Sequence, residues 1–299
     1  FSAGERNALV VPLGLGIKCI LLFIFITLGL ERFLVFPVVL SMVVFFLCFA
    51  WVKTRPKSFE RSSFEQLNRK GFYEFSGFWI LLILLILSLA NACFFPITGA
   101  DGVWHHIKGM VYAQTPANFE SEQIIFQFQQ YPPLIGLLYG WLINYDFERI
   151  TVIFPILYLC LLVVVFCRMR EHAGSSTVAG ASALLTGTTP YLWWHSFLPF
   201  LDWTAGVFYA VGVLYWFSLI KNICAPTRNI DTSRNRSLAV LSGLFLGLSS
   251  WVRPEFVHYS ALPLFLLVCM FDREEEFVAE RNPVIARFAI MALILPSLW

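Results

Sequence analysis

The sequence predicts an all-α fold, a polytopic membrane bundle of eight or nine transmembrane helices with a long loop on its outer face. The 299-residue chain is 58% hydrophobic and only 13% charged, and its mean hydropathy is +0.72. Soluble domains carry roughly 25% charged residues. Apolar runs near the roughly 20 residues that cross a bilayer recur along the whole length. Lys and Arg concentrate in alternate connections between these runs, as expected for a membrane protein.

The apolar runs divide the chain into eight predicted spans and the start of a ninth. The first run is too long for the apolar core of a secretory signal peptide, so it counts as a span. The ninth begins near Val284, and the chain starts without methionine. We therefore expect one transmembrane domain over residues 1–299, an N-terminal fragment of a longer protein. The eight spans are Leu9–Leu30, Phe33–Val52, Phe75–Phe95, Ile150–Cys167, Ser176–Ser196, Trp203–Ile220, Leu238–Val252 and Phe256–Phe271.

Basic residues predict the orientation. The loop Lys53–Lys70 holds six of them, and such residues stay on the cytoplasmic side of short loops. Alternating the spans from this loop places the N-terminus in the cytoplasm. It puts the segment 98–149 and the turns Phe197–Asp202 and Arg253–Glu255 on the outer face. We expect a bacterial inner-membrane protein whose active face is periplasmic.

The segment 98–149 is long and acidic, unlike most other connections. Within it, the apolar run Pro133–Ile143 has about eleven residues, too few to cross a bilayer. Counting it as a span would also move Arg168 and Arg170 outside. We therefore predict a helix at the outer interface, anchored by Tyr139, Trp141 and Tyr145.

Two classes of site are disfavoured. The basic residues are not clustered with interleaved aromatics, so we expect no nucleic-acid partner. The seven cysteines are scattered through apolar runs without CxxC spacing. They are better explained as buried small side chains than as a disulfide frame or a metal cage.

The predicted topology gathers polar residues at the outer ends of different spans. Charges close to hydrocarbon are costly, so they tend to be paired or functional. Four of the five histidines fall on this face. The group consists of Asp101, His105, His106, Lys108, His195, Asp202, Arg253, Glu255 and His258.

Asp101 and Asp202 are the candidate catalytic residues. A carboxylate held at the mouth of a bundle can accept a proton from an incoming hydroxyl or amine, or hold a metal. Asp is equally favoured at helix N-termini, so both residues have a simple explanation as caps. For Asp101 the sequence leaves both explanations open.

Six further residues are candidates for substrate binding: His105, His106, Lys108, Tyr131, Arg253 and Glu255. Lys108 and Arg253 could hold a phosphate, although Lys108 could also simply snorkel to the interface. The adjacent pair His105 and His106 diverges on a helix and makes a poor two-ligand metal site. Two carboxylates and nearby histidines permit a divalent metal without requiring one, so the cofactor stays unassigned.

Four short motifs, in this order, resemble the GT-C superfamily of membrane glycosyltransferases, which includes protein O-mannosyltransferases and the aminoarabinose transferases of lipid A. They are GADGVWHHIKGMVYA, QYPPLIGLLYGWL, TTPYLWWHSFLPFLDWTAGVFYAVGVLYW and WVRPEF. They look like the family's first outer acidic loop, its Pro-Pro-Leu helix, its second acidic turn and its basic-Pro-Glu turn. The resemblance covers roughly Phe75–Phe256.

The resemblance implies an inverting transfer of a sugar from a polyprenyl-phosphate donor to a lipid, glycan or protein acceptor at the outer face. Asp101 matches the catalytic carboxylate, acting as the base or orienting the acceptor. Asp202 matches the second acidic position, which assists acceptor or metal placement. Lys108 and Arg253 match the groups that bind the lipid phosphate. The chain departs from the family in having two spans before Phe75 and in lacking the C-terminal spans and any outer soluble domain.

Two rival functions stay open. One is a non-catalytic structural or assembly subunit of a larger membrane complex, in which Asp101 packs against a partner helix without a cavity. The other is a transporter or lipid flippase, which predicts ionisable residues in the middle of the bilayer and repeated halves with broken helices. The concentration of polar residues at one face disfavours the transporter.

Overall fold

The structure is a computed structural model that describes residues 2–28, 77–97, 100–114, 131–143, 149–224, 232–271 and 278–298. All the regular elements in these ranges are helical, as the sequence predicts. They are α1 (Ala3–Thr27), α2 (Gly77–Phe94), α3 (Ala100–Gln114), α4 (Leu134–Ile143), α5 (Ile153–Ala173), α6 (Ser176–Thr188), α7 (Pro190–His195), α8 (Leu201–Ile223), α9 (Thr232–Val252), α10 (Phe256–Phe271) and α11 (Val278–Ile294). Short 3-10 turns cover Ile150–Val152 and Pro296–Leu298.

Four of the described helices are long and apolar enough to cross a membrane. They cover Gly4–Thr27, Gly77–Phe94, Ile150–Ala173 and Leu201–Ile223. Each coincides with a predicted span and extends or shortens it by a few residues. The predicted span Phe33–Val52 and the basic loop that follows it lie outside the described residues. The count of eight or nine spans and the orientation remain predictions.

The predicted span over residues 176–196 is divided into two helices. α6 ends at Thr188, and Pro190 starts α7. Proline has no amide hydrogen to donate and disfavours helical geometry in the residue before it, so a break here is expected. Tyr158 Oη on α5 donates to the carbonyl of Gly187, which lies near the end of α6.

The centre of the bundle is formed by α5, α8, α9 and α11. α9 packs against both α8 and α11. Gly243 and Gly247, four residues apart on α9, face the backbone of α11, where a Cβ atom would lie 2.4 Å from the carbonyl oxygen of Phe288 and 2.5 Å from that of Met291. Small residues at this spacing allow helices in a membrane to approach closely.

Glycines four residues apart also allow α3 and α4 to approach closely. Gly136 and Gly140 on α4 lie against Tyr112 and the backbone of Gly109 on α3, where a Cβ at Gly140 would approach the Gly109 carbonyl oxygen to 2.9 Å. Residues 134–140 of α4 are all buried, and Tyr139 is 0% exposed. Tyr139 is therefore a core residue and not the interfacial anchor that the sequence predicts, because α4 is covered by α3 and α1.

α1 crosses the bundle against α4, α5 and α9. Lys18 Nζ lies 2.9 Å from the centroid of the Trp141 ring on α4, and Phe23 packs edge-on against Trp251 of α9 at 5.5 Å. Trp251 is two residues from Arg253. α1 thus supports two of the elements that carry the candidate site described next.

Candidate functional site

A cavity of about 810 Å³ lies between α5, α6, α7, α8 and α10. We call it the α8 cavity. α8 lines it from Asp202 to Phe217, a distance of about 22 Å at 1.5 Å per helical residue. Most of its wall is apolar, contributed by Leu161, Val165, Met169, Leu192, Trp203, Val207, Ala210, Val213, Leu214, Phe217 and Phe256. The cavity therefore has the shape and lining of a site for a long apolar chain.

Charged residues line the cavity where α8 begins. Asp202 lies in the first turn of α8, and Arg253 follows the last residue of α9. Arg253 Nη1 forms an ion pair with Asp202 Oδ1. Its Nε lies 3.4 Å from Glu255 Oε2, which is within ion-pair distance. This Nε forms no hydrogen bond with any of the described residues. We call these three residues the mouth cluster. An acid at a helix N-terminus and a base at a C-terminus also stabilise the helix dipoles, which explains the placement locally.

Tyr131 joins the mouth cluster to α3. The Arg253 guanidinium lies 5.5 Å from the centroid of the Tyr131 ring, and the His105 ring meets the same ring edge-on at 5.9 Å. Lys108 Nζ donates to the Tyr131 carbonyl oxygen at 2.8 Å. His105 and Lys108 are three residues apart on α3, so they share a helix face. Lys108 and Arg253 therefore contact different parts of one tyrosine, its carbonyl oxygen and its ring.

Burial changes the protonation of both α3 side chains at this site. His105 is 3% exposed and Lys108 is 2% exposed. Desolvation, together with the charges of Lys108 and Arg253, lowers the pKa of His105 to about 3, so its imidazole is neutral at physiological pH. Desolvation lowers the pKa of Lys108 from 10.5 to about 7. An anion bound beside Lys108 would offset the penalty for burying its charge.

His195 also lines the cavity. The sequence places it at this end but gives it no role. Its Nδ1 lies 2.8 Å from the Tyr191 carbonyl oxygen. Its ring stacks on Tyr191 at 4.1 Å and faces Phe200 at 5.5 Å. The sequence indicates this arrangement, because Tyr191 is four positions before His195 and residues at this spacing lie on the same face of a helix.

The structure brings six of the eight predicted site residues together: His105, Lys108, Tyr131, Asp202, Arg253 and Glu255. His106 does not join them, because adjacent helical side chains diverge, and its ring instead faces Tyr139 at 6.3 Å. Asp101 belongs to the first turn of α3, but its side chain lies outside the described ones. Within the described ranges, no three His, Cys, Asp or Glu residues are grouped as metal ligands.

A second cluster of buried charges lies at the opposite end of the bundle. Glu5 is 0% exposed and Arg168 is 2% exposed. Arg168 Nη2 donates to Glu5 Oε2 at 2.6 Å, and Tyr215 Oη donates to Glu5 Oε1 at 2.5 Å. Arg168 also contacts Glu171 at 2.7 Å, and Glu171 pairs with Arg234 of α9. The sequence analysis missed Glu5, because it precedes the first continuous apolar run.

No family model, no curated protein and no solved structure matches the chain. The class of protein therefore rests on the molecule itself. Four apolar helices of membrane-spanning length, within an all-helical fold, fit an integral membrane protein. The α8 cavity and its mouth cluster are the site from which a function is inferred.

Proposed function

We propose that this protein is a membrane glycosyltransferase, which moves a sugar from a polyprenyl-phosphate carrier to an acceptor at the outer face, with inversion at the anomeric carbon. Asp101 acts as the base or orients the acceptor, and Asp202 assists in placing it. The proposal includes the bacterial inner membrane as the location and a periplasmic orientation of the mouth cluster.

The α8 cavity is the observation that carries the proposal. A polyprenyl phosphate has a long apolar tail and an anionic head, and the cavity offers an apolar wall that ends at Arg253, which pairs with Asp202 and Glu255. The apolar lining runs about 22 Å along α8, close to the roughly 30 Å thickness of a hydrocarbon core. A soluble substrate would have no use for so long an apolar wall.

Arg253, which lines the cavity, and Lys108, which is buried beside Tyr131 and does not line it, supply the positive charge that a phosphate head requires. Arginine has five N–H donors in a planar fork, so the ion pair with Asp202 leaves donors available for a phosphate. Tyr131 contacts both residues. Its carbonyl oxygen accepts a hydrogen bond from Lys108, and its ring lies against Arg253. A phosphate beside Tyr131 would meet one cation from α3 and one from the end of α9.

The reaction needs one proton acceptor and one phosphate clamp. The acceptor oxygen attacks the anomeric carbon, the bond from that carbon to the phosphate oxygen breaks, and the electron pair leaves with the polyprenyl phosphate. Cations that stabilise the leaving anion remove the need for an acid. Hydrolytic glycosidases, in contrast, need a pair of carboxyl groups as acid and base.

Glycan and glycolipid profiling of cells that carry Asp101→Asn tests this function. We expect loss of one glycosylated product, because removing either a base or the group that orients the acceptor slows the transfer by about 10²-fold or more. Asp272→Asn, which the sequence places in a connection on the other face, is the matched control and should leave the profile unchanged. Protein level and membrane insertion are measured for both variants. An unchanged profile in inserted Asp101→Asn protein would reject the transferase and favour a structural subunit.

A further inference from the structure

We propose that His195 is the group that takes the proton from the acceptor in the α8 cavity. This assignment rests on the proposed glycosyl transfer and names a residue that the resemblance does not supply. It leaves Asp101 the role of orienting the acceptor.

The hydrogen bond of His195 decides which ring nitrogen carries the proton. The partner of Nδ1 is the main-chain carbonyl of Tyr191, at 2.8 Å. A carbonyl oxygen only accepts hydrogen bonds, so Nδ1 must carry the hydrogen. In the neutral imidazole, Nε2 then holds the lone pair. A backbone bond that fixes the tautomer in this way is a recurring feature of functional histidines.

The surroundings of His195 hold the ring in place. Tyr191 stacks on it at 4.1 Å with an interplanar angle of 34°, and Phe200 faces it at 5.5 Å. The residue lines the α8 cavity together with Asp202, Arg253 and Glu255.

The acceptor O–H bond breaks, its oxygen forms the new bond to the anomeric carbon, and the proton passes to His195 Nε2. The carbon-to-phosphate-oxygen bond breaks, and its electron pair leaves on the polyprenyl phosphate. The imidazolium then releases its proton to water. The titratable or charged groups that line the cavity around this imidazole are Tyr191, Asp202, Arg253, Glu255 and Tyr259.

A variant can separate the chemical role of His195 from a structural one. In His195→Asn, the amide N–H₂ can still donate to the Tyr191 carbonyl, but no basic nitrogen remains. We expect cells with inserted His195→Asn protein to make the glycosylated product about 10²–10⁴-fold more slowly. His258→Asn is the control, because His258 lies near the same end of the bundle, is exposed, and does not line the cavity.

The outcomes of this experiment distinguish the two proposals. If wild-type cells make no glycosylated product beyond that of cells without the chain, glycosyl transfer is rejected and the role of His195 falls with it. If wild-type cells make the product and His195→Asn makes it equally fast, only the role of His195 is rejected.

Chemical modification of the wild-type protein tests the same residue without a variant. Diethyl pyrocarbonate acylates neutral imidazole nitrogens, and peptide mass spectrometry locates the product. We expect His195 and His258 both to react, and farnesyl phosphate, a short polyprenyl phosphate, to slow the reaction of His195 several-fold while leaving His258 unaffected. An unreactive His195, or one that farnesyl phosphate does not protect, would overturn the assignment.

Discussion

Lys108 is a buried amine whose charge state depends on pH near neutrality. Its pKa is about 7, because desolvation disfavours the ammonium form. The titratable groups near it include His105, Tyr112 and Tyr131. Burial lowers the pKa of His105 to about 3 and raises that of Tyr112. These two groups therefore keep their neutral forms between pH 7 and 9, and Lys108 loses its proton over that range.

We predict that farnesyl phosphate binds more weakly as pH rises from 7 to 9. The phosphate monoester is already almost fully ionised there, since its second pKa is about 6, so the decrease reports on Lys108. The affinity should fall about ten- to hundredfold, because a hydrogen bond to a charged group contributes about 1.5–3 kcal/mol. Titration calorimetry in detergent micelles measures it.

Two variants test this assignment. Lys108→Met should bind farnesyl phosphate weakly at pH 7, and its affinity should show no further decrease as pH rises. Lys221→Met, at the opposite end of the bundle, should behave like the wild type.

The free energy of unfolding of the unliganded protein should increase as pH rises, whereas the affinity for farnesyl phosphate decreases. Between pH 7 and 10.5 the unfolded state keeps the Lys108 proton that the folded state has lost, so unfolding becomes less favourable as pH rises. A decrease in stability over this range would contradict the burial of Lys108.

At the scale of single residues, the sequence predicts which residues share an end of the bundle but not which ones touch. Asp202 and Arg253 are at the ends of apolar runs and Lys108 is in a connection on the same predicted face, and this placement is enough to predict that they lie at one end of the bundle. Their contacts through Tyr131 depend on the angle between α3 and α4, which no local pattern encodes. Glu5 could have been found from spacing, because Glu5, Leu9, Pro12, Gly16 and Cys19 form a buried helical stripe.

At the scale of the elements, the apolar runs predict the long helices well and the short ones poorly. A run of about 20 apolar residues in lipid forms a helix, because a helix satisfies all of its backbone hydrogen bonds within the segment. The ten residues of α4 do not have that constraint, and their burial against α3 comes from the spacing of Gly136 and Gly140. The length of this apolar run predicts an interfacial helix, but length alone takes no account of the two glycines.

We predict that Gly140→Ala destabilises the protein and weakens farnesyl phosphate binding. The added Cβ would lie 2.9 Å from the Gly109 carbonyl oxygen, a backbone atom that cannot move alone. Overpacking of this kind costs about 1–3 kcal/mol, and separation of the two helices would move Lys108 away from Tyr131. Thermal unfolding in detergent measures the first effect. Gly14→Ala is the control, since nothing lies within 4 Å of its added Cβ, and it should be neutral or stabilising by about 0.5–1 kcal/mol. Equal melting temperatures for the two variants would refute the close packing.

At the scale of the whole molecule, the Glu5 cluster ties α1 to the rest of the bundle. Its side chains come from α1, α5, α8 and α9, and Glu5 and Arg168 are almost inaccessible to solvent. Composition and periodicity predict that α1 is a span, but they do not predict that it is fixed in register by a buried ion pair. That information lies in the pairing of two residues 163 positions apart.

We predict that Arg168→Leu is severely destabilising, because it leaves the Glu5 carboxylate buried without its cation. Removing one partner of a buried ion pair costs about 3–5 kcal/mol, whereas replacing both partners with neutral groups of similar volume is often tolerated. The double variant Glu5→Gln with Arg168→Leu should therefore recover most of the lost stability. Arg234→Ala, which removes a half-exposed cation that pairs with Glu171, should cost less than about 1 kcal/mol. Thermal unfolding in one detergent gives the stabilities of the wild type, Glu5→Gln, Arg168→Leu, the double variant and Arg234→Ala. Additive effects of Glu5→Gln and Arg168→Leu would show that these two residues do not pair in the membrane protein.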